Sequence, residues 1–119
     1  MFTGIVTHLG TVVALEHDAA ADTALLTLDA GGALDGLPAG GSLAVDGVCL
    51  TALDEPTERP GVFRADLMGQ TLRMTSLGDR APGDRVNLEV DVMAKYVARY
   101  VEGYVSRYLR ERARLGEER

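Results

Sequence analysis

The stretch "GGSLAVDGVCLTAL", residues 40–53, holds two short apolar runs on either side of Gly47. The runs at 42–46 and 48–53 read as β-strands. The same reading extends outward, to 2–8, 11–16 and 23–29 on one side and to 62–67 and 85–90 on the other. Turn-forming clusters separate these segments: "HDAAAD", "AGGALDG", "PAGG", "DEPTERPG" and "APGD". Several short strands in the first ninety residues predict a small barrel or sandwich. Closure suits a sheet this short, because it removes exposed edges. The stretch "GQTLRMTSLG", 69–78, predicts a short helix whose Leu72 and Met74 cap an opening of the barrel.

The pattern changes after Asp91. From 92 to about 115 there is no proline, only Gly103 interrupts good helix formers, and the apolar period is four. A helix of roughly 24 residues would be about 36 Å long, so part of it is expected to lie beyond the barrel. Within it, "KYVARYVEGYVSRYLRER", 95–112, carries all four tyrosines: Tyr96, Tyr100, Tyr104 and Tyr108. Each is followed by an aliphatic residue. The ladder is a ligand site, a membrane face or a partner face.

At 119 residues the chain is expected to be one domain. Its composition, 46% hydrophobic and 25% charged, is that of a soluble globular protein. The expectation is no membrane span and no secretory leader. The single Cys49 cannot form an internal disulfide, which favours the cytoplasm. The net charge of −6 is unevenly spread. Residues 1–94 carry five Arg and fourteen Asp/Glu, net −9, whereas 95–119 carry seven Lys/Arg and four Glu, net +3. An acidic body does not suit nucleic acid. The basic end reads as a solvated helix face.

General chemical motifs are missing. His8 and His17 stand apart from any Cys/His/Asp cluster at metal-ligand spacing, so no metal site is expected. The sequence has no phosphate-binding glycine loop and no nucleophile elbow. Cys49, inside "VCLTAL", reads as a small core residue rather than a nucleophile. Taken alone, the residues describe a small β-barrel with a long amphipathic helix.

Three stretches in order resemble the riboflavin synthase family, the lumazine-binding barrels. They are "MFTGIV" at 1–6, "GGSLAVDGVCLT" at 40–51 and "DLMGQTLRMTSLGDRAPGDRVNLE" at 66–89. The resemblance covers about residues 1–97. It implies a mainly β fold: a six-stranded Greek-key antiparallel barrel with a short capping helix and a long C-terminal α-helix. Residues 1–91 would be the ligand-binding barrel and 92–119 an oligomerisation helix with a basic tail. Members of the family usually carry two barrels in tandem; this chain has one. The Gly-Gly-His junction that follows the first barrel in the family is missing, and "VNLEVDVMAKYV" is more similar to the close of the second.

The family reaction passes a four-carbon unit between two molecules of 6,7-dimethyl-8-ribityllumazine, with no metal or redox cofactor. Carried over by position, Gly4, Ile5 and Val6 on the first strand would lie along the ring. Val48, Cys49 and Leu50 would flank it, with Thr51 hydrogen-bonding ring heteroatoms and Ser42 a further polar group. Ala65, Asp66, Leu67, Met68, Gly69, Gln70 and Thr71 would close the ribityl side. The family often has a polar pair such as Lys-Glu where this chain has Gly69–Gln70, and glutamine cannot act as a carboxylate base. The expectation is a non-catalytic protein that binds riboflavin, FMN or the lumazine. The alternative is an active riboflavin synthase with its site between subunits, in which Ser42 and Cys49 are the catalytic candidates. Neither needs a cofactor beyond the bound ligand.

With the pocket on the strands, the tyrosine ladder reads as an assembly seam. A membrane face would carry more Leu, Phe or Trp. Ridges at i±4 are what helices pack on one another. The expected assembly is a homo-oligomer, trimer or dimer, with no nucleic-acid or membrane partner.

Overall fold

Alternation of inward and outward residues builds the sheet. In the computed structural model, which describes residues 1–38, 40–53 and 60–117 apart from the side chains of Lys95, Ala98 and Glu117, six strands form. They are β1 (His8–Asp18), β2 (Thr23–Asp29), β3 (Ser42–Val45), β4 (Val48–Thr51), β5 (Val62–Met68) and β6 (Arg85–Val90). Two α-helices complete the fold, α1 (Gly69–Met74) and α2 (Val92–Glu117). Most of the turn expected at 54–61 lies outside the described residues.

All strand pairs are antiparallel, in the order β4-β3-β6-β1-β2-β5. The chain leaves β2 for β3, which lies on the far side of β1 and β6, and the sheet curls so that its two edge strands approach. Leu53 N–H donates to the Arg64 carbonyl at 3.0 Å across that gap. The result is a six-stranded, nearly closed barrel.

The period of two is visible strand by strand. On β2, Ala24, Leu26 and Leu28 point inward; on β5, Phe63, Ala65 and Leu67 do so. Leu43, Val45, Val12, Val86 and Leu88 complete the middle of the core. Each end has a plug. A one-turn 3-10 helix at Gly31–Leu34 buries Ala33 at the Asp29/Val62 end. At the Thr23/Met68 end, Leu77 is buried and Leu72 packs against the core.

Asp46 and Gly47 join β3 to β4 with φ of 48° and 81°, the two left-handed positions of a tight hairpin turn. Asp46 is held there from both sides. Its Oδ1 accepts the Asn87 N–H at 2.8 Å, and its Oδ2 accepts Arg80 Nη2 at 2.6 Å and Nε at 3.1 Å.

Four sequence expectations need correction. The strand expected at 2–8 is not one: Gly4 has φ +83°, which breaks an extended run, and strand structure begins only at His8. The segment expected at 11–16 is the middle of an eleven-residue strand. The helix expected at 69–78 is two pieces, α1 and a one-turn 3-10 helix at Ser76–Asp79, because Thr75 is extended between them. Gly78 lets that turn lie against the Leu72 carbonyl, where a Cβ would collide with backbone. Leu72 caps the barrel as expected, but Met74 is 76% exposed and does not.

The helix α2 begins where the sequence predicts. Asp91 Oδ1 caps it, accepting the Ala94 N–H at 2.9 Å. Its 26 residues span about 39 Å. The radius of gyration is 18.4 Å, against about 13–14 Å for a compact chain of this length. Among the described residues, no strand or other helix packs against α2, so it projects from the barrel. No helix of the described residues is long and apolar enough to cross a membrane.

Candidate functional site

The two edge strands face each other across a seam that is mostly unzipped. Ala52 N–H bonds to the Gly41 carbonyl, continuing the ladder between β3 and β4. In an antiparallel ladder the backbone groups of successive residues turn to opposite sides. Those of Cys49 and Thr51, like the Leu53 N–H, therefore turn away from β3 and toward β5. On β5 the Arg64 carbonyl points toward β4, so Asp66 and Met68 present their backbone groups to the same gap. Only the Leu53–Arg64 bond spans the seam among the described residues. Among the described residues, no backbone partner is seen for the outward-turned groups of Cys49, Thr51, Asp66 and Met68.

The side chains of those four residues also lie on the outer surface. Cys49 and Thr51 are exposed while Leu50 between them is buried, and Asp66 and Met68 are exposed on either side of buried Leu67. Cys49 is therefore not a core residue, contrary to the sequence expectation. Gln70 is exposed at the start of α1, directly beyond Met68, with half-buried Thr71 next to it. The seam thus carries a hydroxyl, a carboxylate, a thiol, a thioether and an amide on its outer side. That mixture suits a flat heterocycle with a polar edge and a polyol tail.

The residues expected at the pocket are placed in four groups. Cys49, Thr51, Asp66, Met68 and Gln70 line the seam. Leu50, Ala65 and Leu67 sit on the same strands but turn their side chains into the core, as Gly69 lies buried behind them and Val48 packs partly against the core. Ser42 stands opposite Thr51, one strand back from the seam. Gly4, Ile5 and Val6 are elsewhere: with Thr3 they form a strap over the outer face of β3 and β6. Gly4 and Val6 line a shallow cleft there with Ala44, Gly47, Asn87 and Glu89.

Glu89 ties the strap down. Its carboxylate accepts the Thr3 N–H at 2.7 Å, the Thr3 hydroxyl at 2.9 Å and the Gly4 N–H at 2.9 Å. The Thr3 N–H contributes most to holding the Glu89 carboxyl below its usual range; burial opposes this, and the Thr3 hydroxyl and Gly4 N–H add to it. The sign follows for a depressed carboxylate. The contribution is fully present above the unfolded-state value and is lost as pH falls through the lower folded-state value. The protection factors of the Thr3 and Gly4 amides, measured against intrinsic exchange at each pH, should therefore hold from neutral pH down through the ordinary carboxylate range and fall only below it. The Glu89→Gln variant should exchange fast at neutral pH; unchanged protection there would show that the strap is held by something else.

Gly69 has a structural reason. A Cβ at this position would run into the Asp22 carboxylate, both of whose oxygens bond Arg73 Nη1, at 3.0 and 3.2 Å. The Asp22–Arg73 pair braces α1 from the β1–β2 turn and occupies the space a longer side chain at 69 would need. Sequence reasoning missed this pair, the Leu53–Arg64 closure and the Glu89 clamp. Each joins residues that are not neighbours in the chain, so no local pattern signals it.

The fold is a small, nearly closed barrel with polar groups along one seam. The profile of the family described as "Lumazine binding domain" matches residues 3–91, and the chain belongs to that family. Among its relatives, riboflavin synthase of Mycobacterium tuberculosis (strain ATCC 25618 / H37Rv) is 45% identical over 89 residues, covering 75% of this chain and 42% of that protein. Riboflavin synthase of Bacillus subtilis (strain 168) is 37% identical over 89 residues, covering 75% of this chain and 39% of that protein. The chain therefore spans less than half the length of these relatives. The fold is similar to LumP complexed with flavin mononucleotide, with a TM-score of 0.65 and 26% identity over 76% of this chain and 48% of that one. LumP complexed with riboflavin and with 6,7-dimethyl-8-(1'-D-ribityl) lumazine match at TM-scores of 0.65 and 0.64.

Proposed function

We propose that the chain binds a ribityl lumazine or flavin in the open seam between β4 and β5, and does so without converting it. The observation that carries this reading is the unzipped edge itself. Backbone groups of Cys49, Thr51, Asp66 and Met68 are left for a pyrimidine edge to pair with, much as an added strand would. The Thr51 hydroxyl and Asp66 carboxylate extend that edge, and Gln70 with Thr71 stands where sugar hydroxyls would follow. Support comes from LumP, whose complexes contain FMN, riboflavin or the lumazine.

Binding without turnover follows from what the chain brings to the seam. The family reaction needs two rings held face to face and a proton moved between them. Both histidines are on β1, not on the seam strands, and Gly69–Gln70 replaces the family's polar pair. Residues 1–91 would form the ligand unit and 92–119 the unit of self-association, in a cytoplasm that suits a lone thiol.

The 45% identity to a riboflavin synthase favours a second reading. Two copies could bring their seams together into one active site, with Cys49 and Ser42 near the bound rings. Incubation of the purified protein with 6,7-dimethyl-8-ribityllumazine separates the two. The first reading predicts a stable complex and no riboflavin; steady riboflavin formation establishes the second. Failure to bind lumazine or riboflavin removes both. The Thr51→Val variant should bind riboflavin several-fold to about tenfold more weakly, the loss of one hydrogen bond of about 0.5–1.5 kcal/mol. An unchanged Kd in a fluorescence titration would take Thr51 out of the site.

A further inference from the structure

The seam is pinned by backbone at one end, where the Leu53 N–H donates to the Arg64 carbonyl at 3.0 Å. At the other end β5 stops at Met68 and β4 starts at Val48. Among the described residues no backbone hydrogen bond joins them there. β4 is a four-residue edge strand whose ladder runs to β3 alone. Its position at this end therefore depends on what holds the Asp46–Gly47 turn that starts it.

That hold comes from the segment that leaves β5. Residues 69–80 cross the mouth of the barrel, from the end of β5 to the turn between β3 and β4. The crossing is stiff. Its first turn is fastened to the β1–β2 turn, where Gly69 lies against Asp22 and Arg73 binds the Asp22 carboxylate. Thr75 joins its two helical pieces: the hydroxyl donates to the Thr71 carbonyl at 2.7 Å and accepts the Leu77 N–H at 3.3 Å. Leu77 is anchored in the core beneath.

At the far end of the crossing, Arg80 Nε and Nη2 donate to one oxygen of Asp46, at 3.1 and 2.6 Å. The Asp46 side chain is 10% exposed, so this charge-assisted contact is largely shielded from water. The other Asp46 oxygen and the Asp46 N–H pair with the backbone of Asn87, each at 2.8 Å. Those two bonds hold the turn to β6 and do not need Arg80. What Arg80 adds is a tie between the two walls of the seam, from β5 through 69–80 to the residue that turns the chain into β4.

We infer that Arg80 is a positioning residue for the ligand seam: through Asp46 it sets the gap between β4 and β5 at the end where Gln70 and Thr71 stand. The inference rests on the reading of the seam as the ligand site and adds what holds its width. Arg80 acts on the ligand through the spacing of the Cys49 and Thr51 backbone from that of Asp66 and Met68. A β4 wall free to swing lowers the fraction of molecules whose gap fits a flat ring, and apparent affinity falls by that fraction.

Riboflavin titrated by fluorescence into the whole chain and its variants tests this. Arg80→Met keeps the length of the stem and removes the tie, and should raise the Kd about tenfold or more. Arg80→Lys puts a point charge in place of two donors and should fall between. Asp46→Asn keeps a residue that tolerates the left-handed turn. Combined with Arg80→Met, it should weaken binding no further than Arg80→Met alone, because the pair acts as one unit. A local effect is told from general loosening by NMR relaxation. Order parameters of the Val48, Cys49 and Leu50 amides should fall in Arg80→Met while those of β1 and β2 keep their values. Val12→Ala, a core change on β1, should lower stability to urea without moving the Kd. An unchanged Kd in Arg80→Met, additive losses in the double variant, or motion spread evenly over the barrel would each overturn the role of Arg80. An unchanged Kd is also what a ligand held elsewhere would give, as in the apolar cleft of about 100 Å³ lined by Leu37, Pro38, Leu43, Val90 and Ala94 at the opposite end of the barrel. A wild-type chain that binds neither riboflavin nor the lumazine overturns the seam reading itself, and the inference with it, so the two failures are distinct.

Discussion

Phe63→Ala is expected to lower the free energy of unfolding by about 3–5 kcal/mol and to weaken riboflavin binding as the seam wall loosens. Phe63 is 2% exposed on the inner face of β5, opposite Leu28. Its neighbours cannot collapse into the space it leaves without bending β5. One side of that strand pairs with β2 while the other forms a wall of the seam. Met68, on the outer face of the same strand and 61% exposed, is the control. Met68→Ala should stay within about 0.5 kcal/mol, as surface changes do. Urea denaturation of both variants checks this; a loss below about 1 kcal/mol for Phe63→Ala would mean that the core is not packed as described.

Self-association should fall by on the order of 100-fold or more in Tyr100→Ser/Tyr104→Ser. A tyrosine can bury on the order of 150–250 Å², and each buried Å² of apolar surface is worth about 25 cal/mol. Even after the cost of ordering the helices, losing two rings per copy removes the two largest side chains at the centre of this face. The barrel itself should be unaffected, because α2 packs on none of its strands among the described residues. Sedimentation equilibrium reads the change, with riboflavin binding followed in parallel. Unchanged association would transfer the interface to another surface.

Much of the fold was legible because most elements obey one period each. β2 and β5 alternate cleanly, β6 does so over Arg85–Leu88, and α2 switches to a period of four directly after Asp91. The failures have local causes. Residues 2–8 look extended, but the Glu89 carboxylate, far along the chain, takes the Thr3 and Gly4 amides and holds Gly4 at positive φ. "VCLTAL" looks continuously apolar, so Cys49 read as core; in a strand of four residues the inward position falls to Leu50 and turns Cys49 out. Thr75 ends α1, and the poor helix formers Ser76 and Gly78 follow it. At the site, residue identity was visible and direction was not. Whether Asp66 or Leu67 faces out depends on parity. Whether their backbone is free depends on which strands close the barrel, and that appears only once the β4–β5 edges are set against each other.

The most direct measurement of the seam's role is the response of its backbone amides to ligand, by two-dimensional NMR and hydrogen exchange with riboflavin and with 6,7-dimethyl-8-ribityllumazine. The account predicts the largest shifts and new protection at Cys49, Thr51, Asp66 and Met68, extending to Gln70 and Thr71, with the β1–β2 turn unchanged. Saturable binding whose shifts centre instead on the cleft of Leu37, Val90 and Ala94, leaving the four seam amides as they were, would contradict it.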